Sequence, residues 1–275
     1  MIRDTFFNFR RFASLCRKGL VENWKSTLLR FLMIYGIMTV LFLWMGYFSY
    51  VHADYYSPYW EHRDPMWDAA LGIFVYGFFL AGLLSASFTF SAMKSKVGRL
   101  TVLMQPATQF EKFMVRWLAY TLGFVLVYVI AFKLADCTRV LVYASAYPKI
   151  EEIGLMPWSH FQTWGVFQEC RDAFVLITFY CFAQSLFVLG SAVWPKNSFV
   201  KTCAAIVVIG MAYTVAGVML GKVLFFNRYL TEHGSIFASE DLVKNGALIL
   251  FSLMALFNWT LAYHRFKESE IINRW

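Results

Sequence analysis

The chain has 275 residues, of which 59% are hydrophobic and 15% are charged, and its formal net charge is +8. Soluble domains carry about 25% charged residues, so this composition excludes an ordinary soluble protein and predicts an integral membrane protein. The positive balance indicates orientation, because Lys and Arg collect on the cytoplasmic side of membrane proteins. A nucleic-acid partner is not expected, since the sequence has no basic, aromatic-interleaved soluble domain.

Residues 1–27 precede the first apolar run and mix basic with apolar side chains. The basic residues are Arg3, Arg10, Arg11, Arg17, Lys18 and Lys25. They alternate with Phe and Leu side chains, which is typical of an amphipathic helix that lies in the membrane interface with its basic groups at the lipid phosphates. An irregular basic tail is the alternative, but it would leave aromatic side chains in water. We predict the interfacial helix, with membrane lipid as its partner.

Six apolar runs follow between residues 28 and 264, each long enough to cross a bilayer. Backbone polar groups in lipid must be hydrogen-bonded within the segment, so each run is predicted to be a helix. The predicted spans are about 28–50, 69–93, 114–135, 172–193, 199–220 and 245–264, followed by a tail at 265–275. Positively charged and charge-poor connections alternate, which predicts that both termini are cytoplasmic. The expected fold is an all-α, multi-pass protein, most simply of a bacterial inner membrane.

Small residues recur at helical spacing in two of these runs. They are Gly77, Ala81, Ser85 and Thr89 in the second span, and Gly217 and Gly221 in the fifth. A face of small side chains lets two helix backbones approach closely, which favours association in lipid. We predict that these faces pack against other helices, either of the same chain or of a second copy.

The sequence carries no catalytic motif. The centres of the six runs lack Asp, Glu, Lys and Arg, which argues against a proton-driven transporter or an ion pump. Lys133, at the end of the third run, is expected to snorkel to the interface, and polar residues such as Gln184 and Asn258 to hydrogen-bond between helices. There is no G-x-x-x-x-G-K-[ST] loop, no G-x-S-x-G and no H-E-x-x-H. We therefore expect this chain not to be an enzyme and to bind no cofactor.

Histidines and cysteines lie in the predicted outer loops. The histidines are His52, His62, His160 and His233, and their spacing matches no metal-ligand motif, so no metal site is expected. Cys137 and Cys170 stand at the two ends of the loop 136–171. A disulfide between them would fasten the ends of this loop if that side of the membrane is oxidising; otherwise they are free thiols.

The segment from Met93 to Arg116 joins the second and third spans. Its basic residues are Lys94, Lys96, Arg99, Lys112 and Arg116. The stretch from Leu100 to Met104 is mostly apolar, and Pro106 can start a second helix whose first turn Thr108 can serve. One interpretation is a basic loop that only holds the flanking spans in orientation. The other is an amphipathic docking element for a cytoplasmic partner.

Six spans preceded by an interfacial helix resemble the type-2 ABC transporter permeases, the membrane subunits of ABC exporters. The run GRLTVLMQPATQFEKFMVRWL, Gly98–Leu118, is similar to the family's loop between spans two and three. Members read there as a leucine-rich stretch, a P-(A/V/I)-(S/T) step and then charged residues. Here the step is Pro106, Ala107 and Thr108, and the charged residues are Glu111, Lys112 and Arg116.

The resemblance implies that this loop contains a coupling helix, which docks onto a separate ATPase subunit that binds the ATP. The residues expected to make this contact are Leu103, Pro106, Phe110, Glu111, Lys112 and Arg116. Leu103 and Phe110 would fill an apolar groove on the ATPase, and the charges would set the register. The resemblance also implies that two permease copies, a homodimer or a related pair, form the translocation path.

These observations predict the membrane permease subunit of an ABC exporter, which moves an unidentified substrate. Two alternatives remain open on the residues alone. One is a structural or assembly protein that holds a partner with the aromatic side chains of its outer loops. The other is a membrane enzyme that acts on lipids through the four outer histidines.

Overall fold

The computed structural model describes residues 7–51, 64–147, 153–163, 167, 169–194, 196–224 and 240–268, and only the backbone of residues 103, 217, 220–224 and 240–242. Every regular element in these ranges is a helix. The α-helices are α1 (Phe9–Val51), α2 (Trp67–Ser87), α3 (Lys96–Leu103), α4 (Gln109–Tyr120), α5 (Leu122–Ala146), α6 (Cys170–Val193), α7 (Ser198–Leu224) and α8 (Glu240–Glu268). Short 3-10 helices occupy Ser91–Lys94 and Trp158–Thr163.

Six helical segments of the described chain are long and apolar enough to cross a membrane. They are α1, α2, the combined segment of α4 and α5, and then α6, α7 and α8 as separate segments. The predicted all-α fold with six spans is confirmed, and the chain is a multi-pass membrane protein. The side on which its termini lie stays a prediction.

The helices of the first three spans end well away from the predicted span ends, and α8 extends beyond the predicted sixth span on both sides. The predicted interfacial segment and the first span form one helix, α1, whose 43 residues extend about 64 Å. The second helix ends at Ser87 rather than at residue 93, and the third segment, predicted at 114–135, runs from Gln109 to Ala146. Since the hydrocarbon core is about 30 Å thick, the long helices continue past it. Hydropathy marks only the part of a helix that lies in lipid, so it cannot locate such extensions.

The chain folds as two compact units. Unit 1 comprises Met1–Ser85 and Pro106–Glu169, and unit 2 comprises Ala86–Gln105 and Cys170–Trp275. Unit 1 therefore holds α1, nearly all of α2, α4 and α5. Unit 2 holds α3, α6, α7 and α8.

In unit 1, α1 runs parallel to α4 and α5. Contacts between α1 and the α4–α5 segment follow the chain direction of both. They run from the Arg11–Glu111 ion pair to the hydrogen bond between Arg139 and the Tyr50 hydroxyl. The end of unit 1 where α1 and α4 begin is termed the near end, and the end where α1 and α5 finish is the far end. Parallel packing agrees with the predicted alternation, in which the first and third spans cross the membrane in the same direction.

The core of unit 1 is rich in aromatic rings. Phe74 of α2 packs edge-on to Phe132 of α5, with ring centroids 4.8 Å apart. Phe42 of α1 meets the same Phe132 ring edge-on at 5.5 Å. Such edge-to-face pairs stabilise the packing beyond the area they bury. They join α1, α2 and α5 in one cluster.

In unit 2, α6 and α8 pack side by side and run parallel. Lys244 Nζ lies 2.7 Å from Asp172 Oδ1, and further along both helices Asn258 Nδ2 donates to Ser185 Oγ at 3.0 Å. The amide and the hydroxyl are both buried, so this bond satisfies polar groups that lipid cannot. Asn258 thus makes the interhelical hydrogen bond that the sequence predicts, whereas Gln184 Nε2 donates to the Tyr180 hydroxyl one turn earlier in the same helix.

The start of α7 packs against the end of α6 in the same unit. The Phe187 and Phe199 rings stack with centroids 5.3 Å apart. A Cβ added to Gly190 would lie only 1.9 Å from Thr202 Oγ1. The two helices approach this closely because glycine has no side chain at the contact.

Candidate functional site

The eight-residue helix α3 is built by its own local sequence. Ser95 caps it, because its Oγ accepts a hydrogen bond from Gly98 N at 3.0 Å. At the other end Met104 N donates to Leu100 O at 2.9 Å. A Cβ on Gly98 would lie 2.1 Å from Ala92 O, so glycine lets the preceding 3-10 helix pack directly on the first turn of α3.

One face of α3 is apolar and exposed. Val97, Leu100 and Met104 are 74%, 59% and 81% exposed, and their spacing of three and four residues places them on one side of the helix. Val102, by contrast, is buried. Lys96 is exposed beside this face. The face consisting of Val97, Leu100 and Met104 is termed the α3 face, and such a surface is suited to docking.

Helix α4 starts with a complete capping box. Thr108 Oγ1 accepts from Glu111 N at 3.3 Å, and Glu111 Oε2 accepts from Thr108 N at 3.1 Å. This arrangement satisfies two backbone donors of the first turn. It explains why α4 begins directly after the Pro106–Thr108 step.

Glu111 also fastens the near end of unit 1. Its carboxylate accepts from Arg11 Nε at 2.7 Å, from Arg11 Nη2 at 2.9 Å and from Asn8 N at 2.8 Å. Glu111 is fully buried, and Lys112 is buried beside it. The structure therefore gives Glu111 an internal role, and neither charge lies on a surface that a partner can contact in this arrangement.

The other predicted contact residues do not form one surface with them. Pro106 is exposed and Arg116 is half-buried. Phe110 is half-buried and packs edge-on to Phe7 with centroids 6.4 Å apart. The side chain of Leu103 lies outside the described residues. The i, i+3, i+7 spacing of the α3 face is the sequence signal that would have identified the exposed surface instead.

The small face of the second span packs within the same chain. A Cβ on Gly77 would lie 2.6 Å from the Tyr128 hydroxyl of α5, and Ser85 Oγ donates to Tyr120 O at 2.9 Å. Ala81 packs against the aromatic core of unit 1. The structure thus decides in favour of the same chain over a second copy for these residues.

The remaining small residues behave differently. Thr89 lies past the end of α2, where its buried hydroxyl donates to Ala86 O at 2.7 Å. Gly217 and Gly221 lie in α7, but their packing is outside the described part of the structure. Their predicted contact stays a prediction.

A buried ionic cluster occupies the far end of unit 1. Arg139 is fully buried. Its Nη1 lies 2.7 Å from Asp64 Oδ2, and its Nε and Nη2 lie 2.9 and 2.8 Å from Asp136 Oδ1. Nη1 also donates to the Tyr50 hydroxyl, and Nη2 donates to Gly154 O at 2.7 Å. All five N–H groups of the guanidinium are used, which suits a structural clamp and leaves no donor for a ligand.

Backbone donors complete both carboxylates of this cluster. Asp64 accepts from Met66 N at 2.9 Å and from Gly154 N at 3.2 Å. Asp136 accepts from Met156 N at 2.8 Å. The cluster therefore ties the ends of α1, α2 and α5 to the segment that follows residue 152. Fully satisfied networks of this kind make the surrounding structure rigid.

No pattern in the sequence predicts this cluster as a whole. The only local signal is the spacing of Asp136 and Arg139, one helical turn apart, whereas Asp64 lies 75 residues before Arg139. Lys133, expected to snorkel, is half-buried and reaches out of its helix. Its Nζ donates to Met156 O at 2.6 Å and lies 4.3 Å from the centroid of the Trp158 ring.

The predicted outer-loop residues form no second site in the part of the chain that the structure describes. Cys137 and Cys170 are both exposed free thiols, so the disulfide considered for them is not formed. His160 is buried, with Nε2 at 2.9 Å from Asp68 Oδ1, while His52, His62 and His233 lie outside the described residues. Among the described residues no group of three His, Cys, Asp or Glu side chains is placed to hold a metal.

No protein-family model, no curated protein and no solved structure matches this chain. The α3 face is exposed, whereas Glu111 and Arg139 are buried.

Proposed function

We propose that the chain is the membrane subunit of an ABC exporter and that α3 is the helix that docks onto a separate ATPase subunit. The observation that carries the proposal is the exposure of Val97, Leu100 and Met104 on one side of a short helix between the second and third spans. A helix of eight residues is about 12 Å long, which is too short to cross a bilayer but long enough to lie in a groove.

The sequence around α3 supports this assignment. Gly98–Leu118 resembles the loop that carries the coupling helix in type-2 ABC permeases. In this stretch the short helix α3 is followed in the chain by the capped start of α4. Docking on an ATPase places α3 and both termini on the cytoplasmic side, and two copies of the chain would share the translocation path. The ATPase supplies the energy, and this chain supplies the membrane passage.

The expected contact is apolar at its centre and charged at its rim. Leu100 and Met104 would enter an apolar groove of the ATPase, where burying such a side chain stabilises binding by about 1.5–3 kcal/mol. Lys94 and Lys96 are exposed next to this face and would meet acidic residues of the ATPase. Rim charges mainly guide association and register, whereas the buried apolar pair provides most of the affinity.

The test is co-purification of the tagged full-length chain from its native cells in mild detergent, followed by mass spectrometry. We expect an ATPase with a Walker A sequence to be retained by the wild-type protein. Leu100→Ala with Met104→Ala should weaken its association by about 2–4 kcal/mol, about 30- to 700-fold.

The matched control is Leu80→Ala with Met33→Ala, which removes the same two side-chain types from exposed positions of α2 and α1. This control should retain the ATPase at the wild-type level. If the wild-type chain retains no Walker A protein, the exporter proposal fails. If both double variants retain it equally, the ATPase binds elsewhere and α3 is not the coupling helix.

A further inference from the structure

Two arginines lie close to Tyr120, which is the last residue of α4 in unit 1. Arg30 of α1 donates from Nη2 to the Tyr120 hydroxyl at 3.3 Å, and its Cζ lies 5.1 Å from the centroid of the Tyr120 ring. Arg116 precedes Tyr120 by one turn of α4, so that both side chains share a face of the helix. Two cationic side chains from different helices therefore have the same phenol as a neighbour.

Neither guanidinium has an acidic partner among the described residues. The ion pairs of unit 1 engage other cations, such as Arg11 and Arg139. Arg116 Nη1 is buried and finds no hydrogen-bond acceptor in the described part of the chain. A buried, charged donor without an acceptor is unfavourable, and it contrasts with Arg139, whose donors are all used. The pair Arg30 and Arg116 thus leaves positive charge uncompensated.

The position of this pair along the helices corresponds to the edge of the hydrocarbon layer. The chain advances about 20 residues from Arg116 to Asp136, where the far-end cluster begins, and this corresponds to about 30 Å of helix. The hydrocarbon core of a bilayer has the same thickness, about 30 Å. When the far-end cluster lies at one edge of the hydrocarbon core, Arg116 lies at the opposite edge of that core. That edge is the level of the lipid phosphates.

We infer that Arg30, Arg116 and Tyr120 bind the phosphate group of an anionic phospholipid beside the junction of α4 and α5 in unit 1. Guanidinium groups bind phosphate oxygens with paired, charge-assisted hydrogen bonds. The tyrosine hydroxyl accepts from Arg30 and keeps its own proton available for donation to a phosphate oxygen. The uncompensated charge favours a lipid with a net negative headgroup over a zwitterionic one. This inference does not depend on the proposed ATPase contact.

The test is native mass spectrometry of the purified full-length chain in detergent, titrated with phosphatidylglycerol or with phosphatidylcholine. We expect phosphatidylglycerol to bind more tightly. Arg30→Gln and Arg116→Gln should each weaken its binding about tenfold or more, because each removes a charge-assisted hydrogen bond. The control is Arg17→Gln, which removes an exposed arginine from the same helix α1 and should leave binding unchanged.

Three results would overturn the assignment. The first is equal phosphatidylglycerol binding by Arg30→Gln, Arg17→Gln and the wild type. The second is equal affinity for the two lipids. The third is displacement of the lipid by millimolar inorganic phosphate, which would indicate a site for a soluble phosphate. Arg30 is exposed, so its variant should fold even if Arg116→Gln does not, and thermal unfolding of each variant checks this point. The measurement contains no ATPase, so a failed co-purification and a failed lipid titration are separate outcomes.

Discussion

Replacing Arg139 by glutamine tests the ionic cluster at the far end of unit 1. The guanidinium is fully buried and lies between the carboxylates of Asp64 and Asp136. In Arg139→Gln both aspartates keep their backbone donors, at Met66, Gly154 and Met156, but lose the cation that pairs them. Removing one partner of a buried ion pair typically costs about 3–5 kcal/mol, because an uncompensated charge stays buried.

The contacts place the expected loss at the lower end of that range. Hydrogen bonds to charged groups contribute about 1.5–3 kcal/mol each, so a sum over the five bonds of Arg139 would exceed what single replacements show. The bonds are not additive, since they share one side chain. Glutamine also keeps an amide donor that can serve one of the two carboxylates. We therefore expect a loss of about 3 kcal/mol.

The measurement is thermal unfolding of the purified chain in mild detergent, followed by tryptophan fluorescence. A loss of 3 kcal/mol should lower Tm by about 6–12 °C, at about 2–4 °C per kcal/mol for a chain of this size class. Arg17→Gln, at an exposed position, is the matched control and should change the stability by less than about 0.5 kcal/mol. In a double-mutant cycle with Asp64→Asn, a coupling energy of about 1–3 kcal/mol is expected. A Tm for Arg139→Gln equal to that of the control, or strictly additive effects in the cycle, would show that Arg139 does not stabilise the cluster through Asp64.

Two glycine replacements test the close approaches in unit 2. Gly210→Ala is the control for both, because a Cβ at Gly210 would meet no atom within 4 Å. Gly190→Ala places a methyl group 1.9 Å from Thr202 Oγ1. The overpacking should lower the free energy of unfolding by about 1–3 kcal/mol, which thermal unfolding measures. A Tm equal to that of the control would contradict the close contact. Gly98→Ala places a methyl group 2.1 Å from Ala92 O, so α3 must shift, and co-purification of the ATPase should fall while the protein stays in the membrane. Unchanged co-purification would show that the position of α3 does not matter for docking.

Local features of the structure were predictable from the residues. The apolar runs identify six helices. The Pro106–Thr108 step directly precedes α4, but the helix begins at Gln109 with Thr108 as its cap and not at the proline. These elements depend on neighbours within a few residues, namely on hydrophobic length and on capping groups. The exposed face of α3 belongs to this class as well, since Val97, Leu100 and Met104 recur at helical spacing. The family resemblance predicts the contact at residues further along the chain, two of which, Glu111 and Lys112, are buried.

Long-range pairings were not predictable. Glu111 looked like a surface charge, but its partner Arg11 lies 100 residues earlier. Gly77 and Ser85 indicated a close helix contact without naming the partner, which the structure identifies as the α4–α5 helix of the same chain. In each case the residue type indicated that a contact forms. The residue on the other side of the contact depends on which helices pack side by side.

The sequence by itself determined that this is a six-span helical membrane protein. A helix needs a long apolar run to cross a hydrocarbon core about 30 Å thick. Backbone groups in lipid must be hydrogen-bonded within their own segment, which requires a helix. Both conditions can be read directly from the sequence. The tertiary structure alone decided which charges are buried. Arg139 is satisfied only because α1, α2 and α5 converge at the far end and bring Asp64 and Tyr50 to it. A charge is tolerated in the interior when its partners are held in place around it, and no local pattern records where those partners come from.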